Sequence, residues 1–153
     1  MKHLSFQITR FALLTLVALS LAAWGQRAFL SEENTAGGAA LPGDGLVIIN
    51  FHAATRCNAC QEIGTEAKAV VETNFGDDLK SGAMHWRVIN FGEPANKHFI
   101  QDYGLTTSTV IIVRREGGRD VEWRRLDAVW DHLFEGPAIR AHLQEQITAL
   151  NPS

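Results

Sequence analysis

A buried strand followed closely by two cysteines constrains the fold of this chain more than any other feature. Residues 46–51 (LVIINF) are apolar apart from Asn50, as expected for a central strand covered on both faces. Cys57 and Cys60 follow after a short loop, and apolar residues then recur at helical spacing to about residue 75. The sequence thus predicts a strand, a loop and a helix that begins at the cysteines.

The rest of the chain continues this alternation of strands and helices. The order of elements predicts an α/β fold with a mixed sheet of four to five strands and helices on both faces. Parallel pairing through crossovers is expected early in the chain, and an antiparallel edge is expected from a late hairpin. The predicted elements are a strand at 86–91, a helix from Pro94 to about Tyr103, a strand at 109–113, a hairpin turn at 116–119, a strand at 121–124 and helices at 127–134 and 137–150.

The N-terminal segment has the pattern of a targeting sequence. Residues 1–10 contain Lys2 and Arg10 and no acidic residue, and residues 11–24 carry no charge. The apolar run is shorter than the roughly 20 residues that a spanning helix prefers. We expect residues 1–25 to be a signal peptide or a membrane anchor with its tether at 11–24. The remainder would then lie outside the cytoplasm, in the periplasm or cell envelope.

A linker and a single domain are expected after this segment. Residues 31–45 are small, polar and rich in glycine, so we assign residues 26–44 to a flexible linker and residues 45–151 to the folded domain. The formal net charge is −3, so the chain lacks the excess of basic residues that is typical of nucleic-acid-binding proteins.

The chain has two cysteines, which excludes a disulfide framework of the kind found in small secreted domains. A bridge between Cys57 and Cys60 closes so short a loop that it would stabilise the fold little. At a helix N-terminus and beside Arg56, Cys57 is expected to be the attacking thiolate. Cys60, one turn further, is expected to resolve a mixed disulfide. His52 lies in sequence just before the loop that leads to them.

Together these features resemble the thioredoxin-like superfamily over about residues 44–150. The resemblance is carried by the strand at 47–51, by Cys57-Asn58-Ala59-Cys60, and by Tyr103-Gly104-Leu105 ahead of a strand and a Gly-Gly hairpin. It implies a three-layer sandwich, thiol–disulfide exchange without a cofactor, and a disulfide-bearing protein substrate or a membrane electron donor as partner.

The sequence departs from the family's usual pattern at four places. The family usually has Trp before the first cysteine, a buried Asp on the preceding strand, Gly-Pro between the cysteines, and a cis-proline facing them. The corresponding candidates for tuning or substrate contact here are Arg56, Asn50, Asn58, Ala59, Ser108 and Thr109. A cis peptide bond is not expected without proline.

Three functions follow from these residues. The first is an exported thiol–disulfide oxidoreductase that acts as a reductase or an electron relay. The second is a non-catalytic binding or redox-sensing module that keeps the fold. The third is a metal or iron–sulfur carrier formed by two chains, because one chain supplies two thiolates and no convincing metal site. Unrelated cysteines, half of a zinc site and an inert disulfide are the remaining interpretations of the pair.

Overall fold

The computed structural model describes residues 38–55 and 57–151 of the chain. Four strands and four α-helices make up this part, with two short 3₁₀ turns between them. In chain order they are β1 (Gly45–His52), α1 (Asn58–Asn74), α2 (Gly76–Ser81), β2 (Met84–Asn90), a 3₁₀ turn (Pro94–Asn96), α3 (His98–Asp102), β3 (Thr109–Glu116), β4 (Arg119–Arg125), a 3₁₀ turn (Asp127–Trp130) and α4 (Gly136–Leu150).

The four strands form one mixed sheet in the order β2-β1-β3-β4. β1 pairs in parallel with β2, as the strand–helix–strand alternation predicts. β3 runs antiparallel to β1, and the hairpin adds β4 antiparallel to β3. The alternation did not predict the reversal of β3. β2 ends and β3 begins at the same edge of the sheet, so the connection through the short helix α3 does not return along the strands. The predicted α/β class and mixed sheet are confirmed.

Helices cover both faces of the sheet, and each face has its own apolar core. On one face, Ile48 and Ile112 pack beneath α1 and α4, together with Val71 and Leu143. On the other face, residues of β1 and β3 pack against α3 and the segment after it. Because side chains alternate along a strand, the apolar run of β1 serves both cores. The predicted three-layer arrangement is therefore present.

Two predicted helices are shorter in the structure than the sequence indicated. The stretch from Pro94 to Tyr103 divides into the 3₁₀ turn and α3, and the Asn96 side chain donates to the Asn90 carbonyl at 3.0 Å where they meet. The stretch 127–134 forms only the second 3₁₀ turn. Conversely, α2 lies beyond residue 75, where the predicted helical spacing ended. Side-chain bonds to the backbone compete with helix formation at such places.

The last residues of the predicted linker lie against the domain. The Ala39 N–H donates to the side chain of Asn96 at 2.7 Å, and the Gly117 N–H donates to Asp44 at 2.6 Å. Leu41 packs on the core beside α3. These contacts place residues 38–44 with the folded domain, so its ordered part begins before Gly45. The predicted targeting segment, residues 1–25, and linker residues 26–37 lie outside the described residues.

Within the described ranges, no helix has the length and apolarity needed to cross a membrane.

Candidate dithiol site

The cysteines lie at the start of α1, after the loop that follows β1. Cys57 is the N-cap of α1, with an extended backbone (φ −79°, ψ 162°). Its Sγ accepts a hydrogen bond from the Cys60 N–H at 3.1 Å, in the place where a Ser or Asp oxygen usually caps a helix. An N–H group aimed at the sulfur, at the positive end of a helix, favours a negative charge there. The predicted helix start at the cysteines is confirmed.

The two cysteines form a disulfide in this structure, with their Cα atoms 5.1 Å apart. Cys57 is exposed, whereas Cys60 is half-buried beneath it. Because of this difference in exposure, a partner can reach Cys57 more readily than Cys60. We refer to Cys57 as the outer cysteine and to Cys60 as the inner one. Of the two residues between them, Asn58 is exposed and Ala59 is half-buried. Arg56 lies outside the described residues.

A cavity of about 240 Å³ opens beside the inner sulfur, and we call it the Cys60 cavity. Its walls come from β1, α1 and β2, and include Asn50, His52, Cys60, Lys68 and Trp86. Since a water molecule occupies about 30 Å³ of liquid, the cavity has room for several waters. Cys60 therefore lines a space that has room for water.

Asn50 lies at the inner end of this cavity and is 7% exposed. It points from β1 toward α1, where Gly64 leaves room for it. A Cβ on Gly64 would come within 2.3 Å of the Asn50 Nδ2 atom. The close fit explains a glycine in the interior of α1, where it costs helix stability. Asn50 is thus a buried amide that lines the same cavity as Cys60, and its equivalence to the family's buried Asp stays a prediction.

Ser108 and Thr109 begin β3 at the same edge of the sheet. The register pairs Thr109 with Phe51, so this segment starts beside the end of β1 that leads to the cysteines. Both residues are buried, at 5% and 1% exposure. The described residues contain no cis peptide bond, as expected for a segment without proline. Side chains of the second 3₁₀ turn hold the segment instead.

Two hydrogen bonds make this connection. The Trp130 Nε1–H donates to the Ser108 carbonyl at 3.0 Å, and the Thr109 hydroxyl donates to Asp127 at 3.3 Å. Trp130 also packs on the α1–α4 core. Its hydrogen bond to the residue before β3 was not predicted. No sequence spacing signals it, because the contact joins positions far apart in the chain.

His52, like Trp130, was given no functional role by the sequence analysis. It lies two positions after Asn50 and so shares its face of β1, which the period of a strand could have indicated. Its Nδ1 lies 2.8 Å from the Ala53 carbonyl oxygen. A carbonyl oxygen only accepts, so Nδ1 carries the proton and the neutral ring has its lone pair on Nε2.

Across residues 38–55 and 57–151, no group of three or more His, Cys, Asp or Glu side chains is arranged to hold a metal ion.

The sheet order, the strand directions and the Cys-x-x-Cys pair at the start of α1 define a thioredoxin-like fold. Solved structures of that kind are similar at low identity. A thioredoxin from Fasciola hepatica is 16% identical, with a TM-score of 0.42, and covers 69% of this chain and 81% of its own. The Trx4 domain of ERdj5 is 14% identical, with a TM-score of 0.44 and coverages of 71% and 84%. A thioredoxin from Thermus thermophilus is 16% identical, with a TM-score of 0.43 and coverages of 69% and 73%.

No protein-family model matches the chain, and the comparison with curated proteins gave no match. The fold assignment rests on the topology and on the position of the cysteines. A thioredoxin-like fold with cysteines at this spacing indicates thiol–disulfide redox chemistry.

Proposed function

We propose that this protein is an exported thiol–disulfide oxidoreductase that reduces, or relays electrons to, disulfide-bearing proteins. The observation that carries the proposal is the exposed Cys57 sulfur at the start of α1, bonded to Cys60 and receiving the Cys60 N–H. An exposed sulfur stabilised as a thiolate is the attacking group that disulfide exchange needs.

The exchange runs in two steps that balance in electrons and protons. The Cys57 thiolate attacks one sulfur of the substrate disulfide, forms a mixed disulfide, and releases the other substrate sulfur as a thiolate. Cys60 then loses its proton and attacks the Sγ of Cys57, which releases the second substrate thiolate. The two released thiolates take up protons, and the protein is left with the Cys57–Cys60 disulfide. A dithiol or membrane electron donor must then reduce this disulfide.

The difference in exposure between the two sulfurs supports this order of attack. A large substrate reaches the exposed Cys57, while half-buried Cys60 is reached by a sulfur already attached to its neighbour. A non-catalytic module would need no such division between an outer and an inner sulfur.

Trapping tests the chemical part of the proposal. In the Cys60→Ser variant, Cys57 should retain substrate proteins as mixed disulfides that a thiol reductant releases. The matched Cys57→Ser variant, whose remaining sulfur is the inner one, should retain few. If neither variant forms adducts and the wild type does not reduce insulin, the oxidoreductase assignment is wrong and a non-catalytic module takes its place.

Export is supported by the charge and hydropathy pattern of residues 1–25. It is tested separately, with the full chain expressed in a Gram-negative bacterium. After mild reduction, a membrane-impermeant maleimide added to spheroplasts should label Cys57 of the tethered protein, or the protein should leave with the periplasmic fraction. Labelling that requires cell lysis would contradict an extracytoplasmic location.

A further inference from the structure

The second step of the exchange needs a group that takes the proton of Cys60. A thiol is a poor nucleophile until it becomes a thiolate, and an inner, half-buried thiol ionises less readily than an exposed one. Asn50, which lies in the cavity beside Cys60, is an amide and cannot accept a proton at ordinary pH. The acceptor must therefore be a different group.

The walls of the Cys60 cavity offer few titratable groups. Among its lining residues in the described part of the chain, His52, Lys68 and Cys60 itself are titratable, and none is a carboxylic acid. Lys68 is a cation whose ammonium lies 3.6 Å from Glu72 on the exposed side of α1, and a protonated amine has no lone pair to offer. Among these lining residues, His52 is the one whose neutral ring has a nitrogen that can accept a proton.

The tautomer of His52 suits this role. Its Nδ1–H donates to the Ala53 carbonyl at 2.8 Å, which fixes the tautomer with the lone pair on Nε2. His52 and Asn50 project from the same face of β1 and line the same cavity as Cys60. The cavity has room for a bridging water between the ring and the thiol, a geometry through which a general base can act.

We propose that His52 accepts the proton of Cys60, directly or through one water, as Cys60 attacks the mixed disulfide on Cys57. This inference rests on the proposed function. The proton leaves the Cys60 thiol for His52 Nε2, the sulfur electron pair forms the Cys57–Cys60 bond, and the substrate sulfur departs with the pair of the broken bond. The imidazolium then returns its proton to water or to the departing thiolate.

The test separates the two steps with one equivalent of DTNB, an aromatic disulfide whose released thiolate is coloured. The reduced full chain should release a first thiolate as Cys57 attacks and a second as Cys60 resolves the adduct. In the wild type, the rate of the second release should rise through an inflection between about pH 5 and 8, where imidazoles titrate. The first release should instead follow the ionisation of Cys57 and should be unchanged when His52 is replaced.

The variant His52→Asn keeps an N–H donor toward Ala53 and removes the proton acceptor. Its second release should be at least about tenfold slower at neutral pH, with the inflection moved toward about 8.5, where free thiols titrate. The matched control is His98→Asn, because His98 makes the same kind of bond, 3.1 Å from its Nδ1 to the Ala95 carbonyl, away from the cavity. It should behave as the wild type.

A carboxylate at position 50 supplies a substitute acceptor. The double variant Asn50→Asp/His52→Asn should therefore recover the second release at neutral pH, which a merely structural role of His52 would not allow. If His52→Asn keeps the wild-type rate and profile, or slows both releases equally without recovery, the role of His52 is overturned. If His52→Asn does not fold, a wild-type second release that follows thiol titration alone overturns it as well. A wild type that releases neither thiolate contradicts the proposed function itself.

Discussion

The indole Nε1–H of Trp130 donates a 3.0 Å hydrogen bond to the carbonyl oxygen of Ser108. This bond ties the turn that follows β4 to the segment that begins β3 at the cysteine edge of the sheet. Together with the bond from Thr109 to Asp127, it fixes a segment that contains no proline. Side chains of the second 3₁₀ turn, a distant part of the chain, thus hold the start of β3 in place.

Removing the indole donor should loosen this segment. Trp130→Phe keeps an aromatic ring but leaves the Ser108 carbonyl without this donor, and we expect the free energy of unfolding to fall by about 1–3 kcal/mol. We expect reduction of insulin to slow more than reaction with DTNB, because the family resemblance implies that this segment contacts a protein substrate. Urea unfolding and the two rates measure this. Trp123→Phe, at a 42% exposed tryptophan on the edge strand, is the control. Equal losses of both rates would contradict the docking role.

Gly64 and Asn50 should be coupled energetically. Alanine is usually preferred over glycine in a helix by about 1 kcal/mol, but a Cβ on Gly64 would lie 2.3 Å from the Asn50 side chain. Gly64→Ala should therefore destabilise the protein, and the same change in an Asn50→Ala background should be neutral or stabilising. A double-mutant cycle by urea unfolding measures the coupling. Additive effects would show that Asn50 does not fill the space at Gly64.

Tyr103, the single tyrosine of the sequence, should make stability depend on alkaline pH. Burial, and then the 2.7 Å hydrogen bond that its hydroxyl donates to Asp120, raise the pKa of Tyr103 well above the usual range. The folded state therefore favours the neutral phenol. This contribution is complete below about pH 10, the ordinary pKa of tyrosine in an unfolded chain, and is lost as pH rises above it.

The variant Tyr103→Phe isolates this contribution. It keeps the ring contacts with Phe51 and Phe99 and loses the hydroxyl. We expect it to cost about 1–2 kcal/mol at neutral pH. The difference in unfolding free energy between wild type and variant should shrink between about pH 9 and 11. A difference that stays constant over this range would show that the hydroxyl is not held neutral by the fold.

The two thiols of the reduced protein should differ in reactivity. Cys57 is exposed and receives an N–H at its sulfur, whereas Cys60 is half-buried. Iodoacetamide should modify Cys57 first, with a rate whose pH midpoint lies below about 8.5. Mass spectrometry of peptides after brief alkylation measures the order. The Cys57→Ser variant provides the rate of the inner thiol alone, and faster alkylation of Cys60 would reverse the assigned roles.

Much of this architecture can be predicted from local patterns in the sequence. The apolar run of β1, the helical spacing after Cys57 and the Gly117-Gly118 turn each reflect a short-range constraint. Both glycines of that turn have positive φ (56° and 77°), as a tight hairpin requires. The direction of β3 and the shortness of α3 were not readable, because both depend on which apolar faces meet across the sheet.

The sequence by itself determined the class of fold and the positions of Cys57 and Cys60, because periodicity and the needs of a helix N-terminus act over a few residues. The tertiary structure decided which side chains surround the inner sulfur. It brought His52, Asn50 and Gly64 to one cavity and joined Trp130 to Ser108. Such contacts arise when the sheet and its helices pack, so spacing along the chain indicates only that Asn50 and His52 share a face of β1. The cysteine pair could therefore be identified from the sequence, whereas the residues that line the cavity beside Cys60 could be identified only from the fold.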